Sequence, residues 1–298
     1  MLIKVYCIKQ RAGEMMVRKL TKNFVGLIIT LIVLMGLQSS VWANSKIIFI
    51  PHDNRPISFA QTVESAEGLG FEIVVPPEHL LGNRTDSGKV EALWQWLFQE
   101  IKTADSVVLS ADSLIYGSLV DSRKHELSLE TLLERTDKFT KLKQLQPNLR
   151  IYVFASIMRS PRSSFGGVEP SYYEQYGPSI FAATALEDKA ETVGLTKVEE
   201  KELLKFKKNV PEAAFADWLE RRSKNFTVNA KLVSLVNNND FVYLALGRDD
   251  NAPFSQTRKE SRLLKEQAGA TPVSKFQCLA GIDELGMVLL TRAINDLS

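Results

Sequence analysis

Short, unbroken apolar runs recur along the chain and alternate with stretches of helical period. Residues 47–50 form one run, stopped by Pro51, and residues 73–75 a second, stopped by Pro76 and Pro77. Residues 107–109, 151–155 and 241–246 form three more, and residues 273–279 are a weaker sixth candidate. Within these runs apolar residues do not alternate with polar ones. A strand buried on both faces reads this way, which is the signature of a parallel sheet covered by helices. The intervening segments carry helical stripes: Leu93, Trp94, Leu97 and Ile101 within residues 91–101, and Leu132, Leu133, Phe139, Leu142 and Leu145 within residues 129–145. Thr196 and Glu199 spell a capping box that opens a short charged helix. Pro211 suits the first turn of a helix running through Phe215, Trp218 and Leu219. Residues 255–268 stop at Gly269, a residue suited to ending a helix.

This alternation predicts an α/β domain over residues 44–298, with a mostly parallel sheet flanked by helices. A doubly wound open sheet is expected. A partial β/α barrel is the alternative, since a closed barrel needs eight strands. Residues 160–210 are longer than an ordinary crossover. They hold Gly166-Gly167 and the aromatic stretch Tyr172-Tyr173-Glu174-Gln175-Tyr176, and read as an insertion over the strand ends.

The N-terminus has a different pattern. Arg18, Lys19 and Lys22 precede an apolar run from Val25 to Leu37, followed by Gln38-Ser39-Ser40 and Val41-Trp42-Ala43. That order predicts a secretory signal over residues 1–43, with an upstream extension and cleavage after Ala43. The run is shorter than the ~20 residues of a spanning helix; an uncleaved membrane anchor is the rival reading. Met16 is an alternative start to Met1. The expected location is therefore exported: secreted, periplasmic or attached to the cell envelope. Contact with a membrane is expected only through this segment, if it stays attached.

The 298 residues are 45% hydrophobic and 24% charged, with a formal net charge of +2, which falls to −3 once residues 1–43 are removed. No concentrated basic excess exists, so nucleic acid is not an expected partner. Cys278 is the single cysteine outside residues 1–43, so no internal disulfide and no Cys/His zinc pattern is expected.

Ligands of α/β sheets bind at the carboxyl ends of strands, and there the polar residues concentrate. Pro51-His52-Asp53-Asn54-Arg55-Pro56 follows the first run, and residues 110–118, with Asp112 and Tyr116, follow the third. Arg159 follows the fourth run, Arg248-Asp249-Asp250-Asn251 the fifth, and Asp283-Glu284 the sixth. A strand-end Asp is often only a helix cap, but Asp249 and Asp250 together are more than one helix needs. If the segment is extended, only one of the two faces the cleft. His52, His79 and His125 read as structural or solvent-facing. There is neither a phosphate-loop lysine after Gly166-Gly167 nor a Gly-x-Ser-x-Gly elbow.

These motifs, with Val75-Pro76-Pro77, Leu80-Leu81-Gly82-Asn83-Arg84, residues 110–123 and Gly247-Arg248-Asp249-Asp250-Asn251-Ala252-Pro253, resemble the bacterial domain of unknown function 4127 family. The resemblance runs in order from Lys46 to the C-terminus. It implies no particular reaction. It also implies longer members, so a C-terminal portion is expected to be missing from this chain.

The first functional expectation is an exported hydrolase of a carbohydrate or cell-wall-derived substrate. Its catalytic carboxylates would be Asp249 or Asp250 with Asp112 as partner, because glycoside hydrolysis uses two carboxyl groups. Asp53, Asn54, Arg55, Tyr116, Arg123, Arg159, Arg248, Asn251, Asp283 and Glu284 are the candidate binding residues, with arginines for anionic groups and tyrosines for stacking on sugar. The ligand would be a glycan or small molecule, and no cofactor or metal is expected. The alternatives are a hydrolase of a phosphate or amide, with Asp53, Asp112, Asp249 and Asp250 around magnesium or calcium, a non-catalytic solute-binding protein, and an inactive shortened copy.

Overall fold

The computed structural model describes residues 45–163 and 166–298; the expected signal segment and its cleavage point lie outside them. Each apolar run enters a strand: β1 (Lys46–Ile50), β2 (Glu72–Val74), β3 (Ser106–Ser110), β4 (Arg150–Ile157), β5 (Tyr243–Arg248) and β6 (Phe276–Ala280). Between them lie α1 (Ala60–Glu67), α2 (Val90–Glu100), α3 (Ala111–Ile115), α4 (Asp121–Lys124), α5 (Leu129–Leu145), α6 (Tyr173–Thr192), α7 (Lys197–Lys208), α8 (Glu212–Asn237) and α9 (Gln256–Ala268), with α10 (Leu285–Leu297) after β6. The strands form one sheet in the order β2-β1-β3-β4-β5-β6, parallel at every pairing. It is open, with β2 and β6 at its borders, so the doubly wound arrangement is the one adopted and the partial barrel is not.

Alternate strand residues point to opposite faces, and here both faces are covered. Ile48, Val107, Leu109 and Val153 share one core with residues of α2, α5, α8 and α9. Ile47, Phe49, Val108 and Phe154 share the other with residues of α1 and α10. That is why the runs are continuous rather than alternating. Each fully buried Leu or Ile contributes about 2 kcal/mol of burial. The run beginning at Phe241 enters β5 at Tyr243, with Val242 N–H already donating to the Ile151 carbonyl of β4 at 2.8 Å, and Phe241 packs edge-on against Phe139, 5.6 Å away.

The order of strands reverses between β1 and β3, which places a topological switch point at their carboxyl ends. All six strands point the same way, so the segments after them emerge along one rim of the sheet. The chain leaving β6 crosses back over this rim. Gly281 N–H donates to the Arg248 carbonyl at 2.8 Å, and Gly247 makes room: a Cβ there would lie 2.6 Å from the Gly281 carbonyl and 2.6 Å from the Leu285 side chain. α10 then lies against β3, β4 and α1 on the far face.

The insertion is helical. Its capping box forms as the sequence predicts, with the Thr196 side chain and Glu199 capping each other at the start of α7. Pro211 stands at the N-cap of α8, one residue before the first turn. Met158, Tyr173, Ile180, Val210 and Trp218 build a small separate core under the insertion. Among the described residues no helix is long and apolar enough to cross a membrane.

Candidate active site

At the switch point three polar side chains are buried together. Ser110 ends β3 and caps α3, its hydroxyl accepting from Ser113 N–H at 3.3 Å. That turn raises Asp112 toward β4, whose Ser156 offers it a backbone N–H at 2.9 Å and a hydroxyl at 3.1 Å. His52, just past β1, brings Nδ1 to 3.0 Å from both Ser110 Oγ and Asp112 Oδ2. His52 and Asp112 are each 1% exposed, and the imidazole sits edge-on to Phe154 at 4.7 Å. In a Ser-His-Asp nucleophilic relay the acid and the serine use different ring nitrogens. Here both use Nδ1, so the trio is a buried tie between β1, β3 and β4.

A second group of charges lies along the ends of β3, β4 and β5. Asp249, past β5, receives Arg159 Nη1 at 3.2 Å and Arg123 Nη2 at 3.5 Å. Arg159, past β4, turns its Nε and Nη2 to Glu169 of the insertion, so one guanidinium spans two carboxylates. Arg123 is 6% exposed, and the Asp249 side chain is 33% exposed. Burial, and then the like charge of Arg159, push the Arg123 guanidinium down to about 10, against the opposing pull of Asp249, Glu169 and Asp112. Arg123 and Arg159 are thus two adjacent cations under one partly open carboxylate.

A third group closes the return from β6. Arg55 Nε lies 3.0 Å from both oxygens of Asp53, and its Nη2 reaches Asp283 at 3.0 Å. Burial lowers the Arg55 guanidinium, but the hydrogen bonds and charges of Asp53 and Asp283 outweigh it, and its pKa ends raised.

The other candidates have local roles. Asp250 accepts from Ala252 N–H at 2.9 Å and from Ser160 at 3.3 Å, bracing the turn before α9, while Ser255 caps that helix. Asn251 bonds the Arg248 carbonyl at 3.3 Å, and Asn54 bonds Glu78 at 3.2 Å. Glu284 is the N-cap residue of α10, without a side-chain capping bond. Tyr116 is buried and stacks on His125 with ring centres 5.0 Å apart; burial, and then the Asp112 charge, raise its hydroxyl pKa well above 10. Arg248 points beneath α9, where Nη1 lies 3.4 Å from Ser261 Oγ.

The sequence reading brought together Arg123, Arg159 and Asp249 but missed Glu169, which sits in the insertion outside any periodic pattern. It also missed the polar face of α8. Arg222 pairs with Glu260 through two bonds of 2.7 Å and donates to the Arg159 carbonyl at 3.1 Å. Asn225 donates to the Ser122 carbonyl at 2.7 Å and Asn229 to the Ser156 carbonyl at 3.1 Å. The signal was present: polar residues at 222, 225 and 229 share one helical stripe, against the apolar one expected of a core helix.

A groove of about 800 Å³ runs along the insertion, lined by Glu169, Tyr172, Tyr176, Pro211, Asp217 and Arg221. Tyr172 and Tyr176 are half-buried, packed on the small core and lining this groove. Tyr172 donates to Asp217 at 2.6 Å, which holds its ring in place.

The four carboxylates a divalent cation would require are directed to four separate sets of partners: Asp53 to Arg55, Asp112 to His52 and Ser156, Asp249 to the arginines, and Asp250 to Ser160 and Ala252. Among the described residues no three candidate ligands converge, so they do not fit a magnesium or calcium ion.

Residues 47–298 match a family model described as "Protein of unknown function (DUF4127)". No curated protein matches the chain, and no solved structure does.

Proposed function

Starting from a chain that belongs to the DUF4127 family, we propose that the strand-end rim is the active face of a hydrolase acting on a carbohydrate that carries an anionic group. The observation behind this reading is Arg159 held between Asp249 and Glu169, with Glu169 also lining the tyrosine groove. Glycoside hydrolysis needs two carboxyl groups on either side of the scissile bond, one to receive a proton from water and one to return a proton to the leaving oxygen. Asp249, the more open of the two, receives it; Glu169 is its partner, in the place expected for Asp112. Arg123 and Arg159 meet the substrate's carboxylate or phosphate, which takes the place of Glu169 on Arg159, and the Glu169 carboxyl so released carries the proton it returns. The Tyr172 and Tyr176 rings carry the sugar faces. The basic and apolar pattern of residues 18–37 supports a substrate outside the cytoplasm, such as a cell-wall fragment or an amino-sugar glycoside.

The test is reducing-end release from a panel of acidic and amino-sugar glycans by the purified full chain. Asp249→Asn and Glu169→Gln should each lower turnover by roughly 10²–10⁴-fold. Asp250→Ala should cost about 1 kcal/mol of stability by losing its turn bond, with turnover nearly unchanged. A panel that is bound but never cleaved would sink the hydrolase reading. That result would favour the solute-binding alternative, which is supported by the arginine pairing of both carboxylates.

A further inference from the structure

Arg248 leaves the Asp249 group entirely. It follows Leu246 on the same strand face, so it points under α9 rather than toward the arginines of β3 and β4. There it lines a cavity of about 410 Å³ with Arg258, Ser261, Arg262, Lys265 and Glu266. Four of these six residues are cations and one is an anion. α9 presents 258, 261, 262 and 265 on one flank, the spacing of adjacent turns.

The cations are unequal. Arg262 is occupied by Asp188 at 2.6 Å. Among the described residues Arg248, Arg258 and Lys265 have no carboxylate within 4.0 Å. On the same helix, Lys259 pairs with Glu191. Arg248 is also left short of acceptors: among the described residues its Nε is buried with no hydrogen-bond partner, and its Nη1 meets only the Ser261 hydroxyl, at 3.4 Å. A buried guanidinium N–H needs an acceptor, and like charges crowded around one cavity repel unless an anion sits among them.

We propose that this cavity binds a phosphate dianion, either free or as a phosphate monoester, independently of the Asp249 face. Three unpaired cations converge from a strand end and from two turns of a helix. That arrangement suits three equivalent oxygens carrying two charges better than the two oxygens and single charge of a carboxylate. The volume admits an ester as well as the bare ion. Arg248 supplies the floor, its Nε buried and the Ser261 hydroxyl beside it, and the exposed Arg258 and Lys265 line the outer side.

The experiment is calorimetric titration of the full chain with inorganic phosphate, glycerol 3-phosphate and acetate, with melting temperature followed in parallel. Saturable phosphate binding and a raised melting temperature are expected, with acetate inert at equal ionic strength. Arg258→Gln with Lys265→Gln changes only exposed side chains and keeps the fold; it should weaken phosphate binding by about tenfold or more, the equivalent of losing one charged hydrogen bond. Arg248→Gln should do the same. Asp249→Asn should leave phosphate binding intact, so this site and the hydrolase stand or fall separately. Tighter binding of glycerol 3-phosphate than of phosphate marks an ester as the occupant, and equal binding marks the free ion. No saturable binding, an equal response to acetate, or undiminished binding in the double variant would overturn the proposal.

Discussion

Ser110 and Asp112 both approach Nδ1 of His52, with Ser156 closing the far side of the carboxylate. Asp112→Ala would strip the buried histidine and Ser156 of a shared acceptor. Because unmet buried polar groups are costly, the expected loss is about 3 kcal/mol in a urea titration; a change within experimental error would show that the tie is slack. His125 has a different consequence. Burial, followed by the charges of Arg221 and Lys224, depresses its pKa to about 4, despite the Asn225 bond and Asp121 acting the other way. An unfolded histidine titrates near 6.5. Between those values the unfolded chain binds more protons, so stability is full above pH 6.5 and drains away as pH falls toward 4, by about 3 kcal/mol. Denaturant midpoints at pH 7 and pH 5 for the wild type and His125→Gln would check this, the variant having the shallower slope. At this scale the sequence was partly readable. The adjacency of Asp249 and Asp250 implied that only one would face the cleft. Asp112 read equally as a cap, because the hydrogen-bonding competence of a side chain does not reveal its partner; the cap proved to be Ser110.

Among elements, the strands were legible because both of their faces are buried, and α2, α5 and α9 because one stripe of each meets the sheet. α1 and α6 were not. α1 has only Thr62 and Ala66 buried, and α6 carries Gly177 and Pro178 inside its helix; neither offers a clean period. Legible only in retrospect was the return from β6, which depends on absent side chains. A Cβ at Gly286 would come within 2.9 Å of the Phe49 ring, and one at Gly247 within 2.6 Å of backbone oxygen. Gly247→Ala should therefore displace the crossing segment and cost about 1–3 kcal/mol, as overpacking does. Gly269 follows α9 with φ 56° and open space beside it. Gly269→Ala should cost about 1–3 kcal/mol through backbone strain alone, because φ 56° with ψ −120° is a glycine region. Both variants should melt below the wild type; an unchanged melting temperature for Gly247→Ala would mean that the crossing yields easily.

For the whole molecule, composition and alternation established an α/β sheet, but strand order lies in long-range pairing that no local pattern encodes. Arg55 and Asp283 show the limit: they are 228 residues apart and bonded at 3.0 Å. The single sheet brings Asp112, Arg159 and Asp249 to the same ends of its strands, yet Arg248 and Asp249, adjacent in sequence, part company there. The crossing from β6 has one more consequence, which concerns synthesis. Phe49, Val108, Phe154 and Ala245 form an apolar sheet face shared with Leu289, Leu290 and Ala293 of α10. A ribosome finishes β5 at Arg248 and reaches Leu297 only 49 residues on, roughly 2–10 s later at ordinary elongation rates. Throughout that interval the nascent sheet has no α10 to cover that face. A chain stopped at Glu284 should therefore bind a hydrophobic dye and aggregate on release, and adding the 285–297 peptide in trans should suppress both. In the growing chain that face should stay without its α10 cover until the helix arrives.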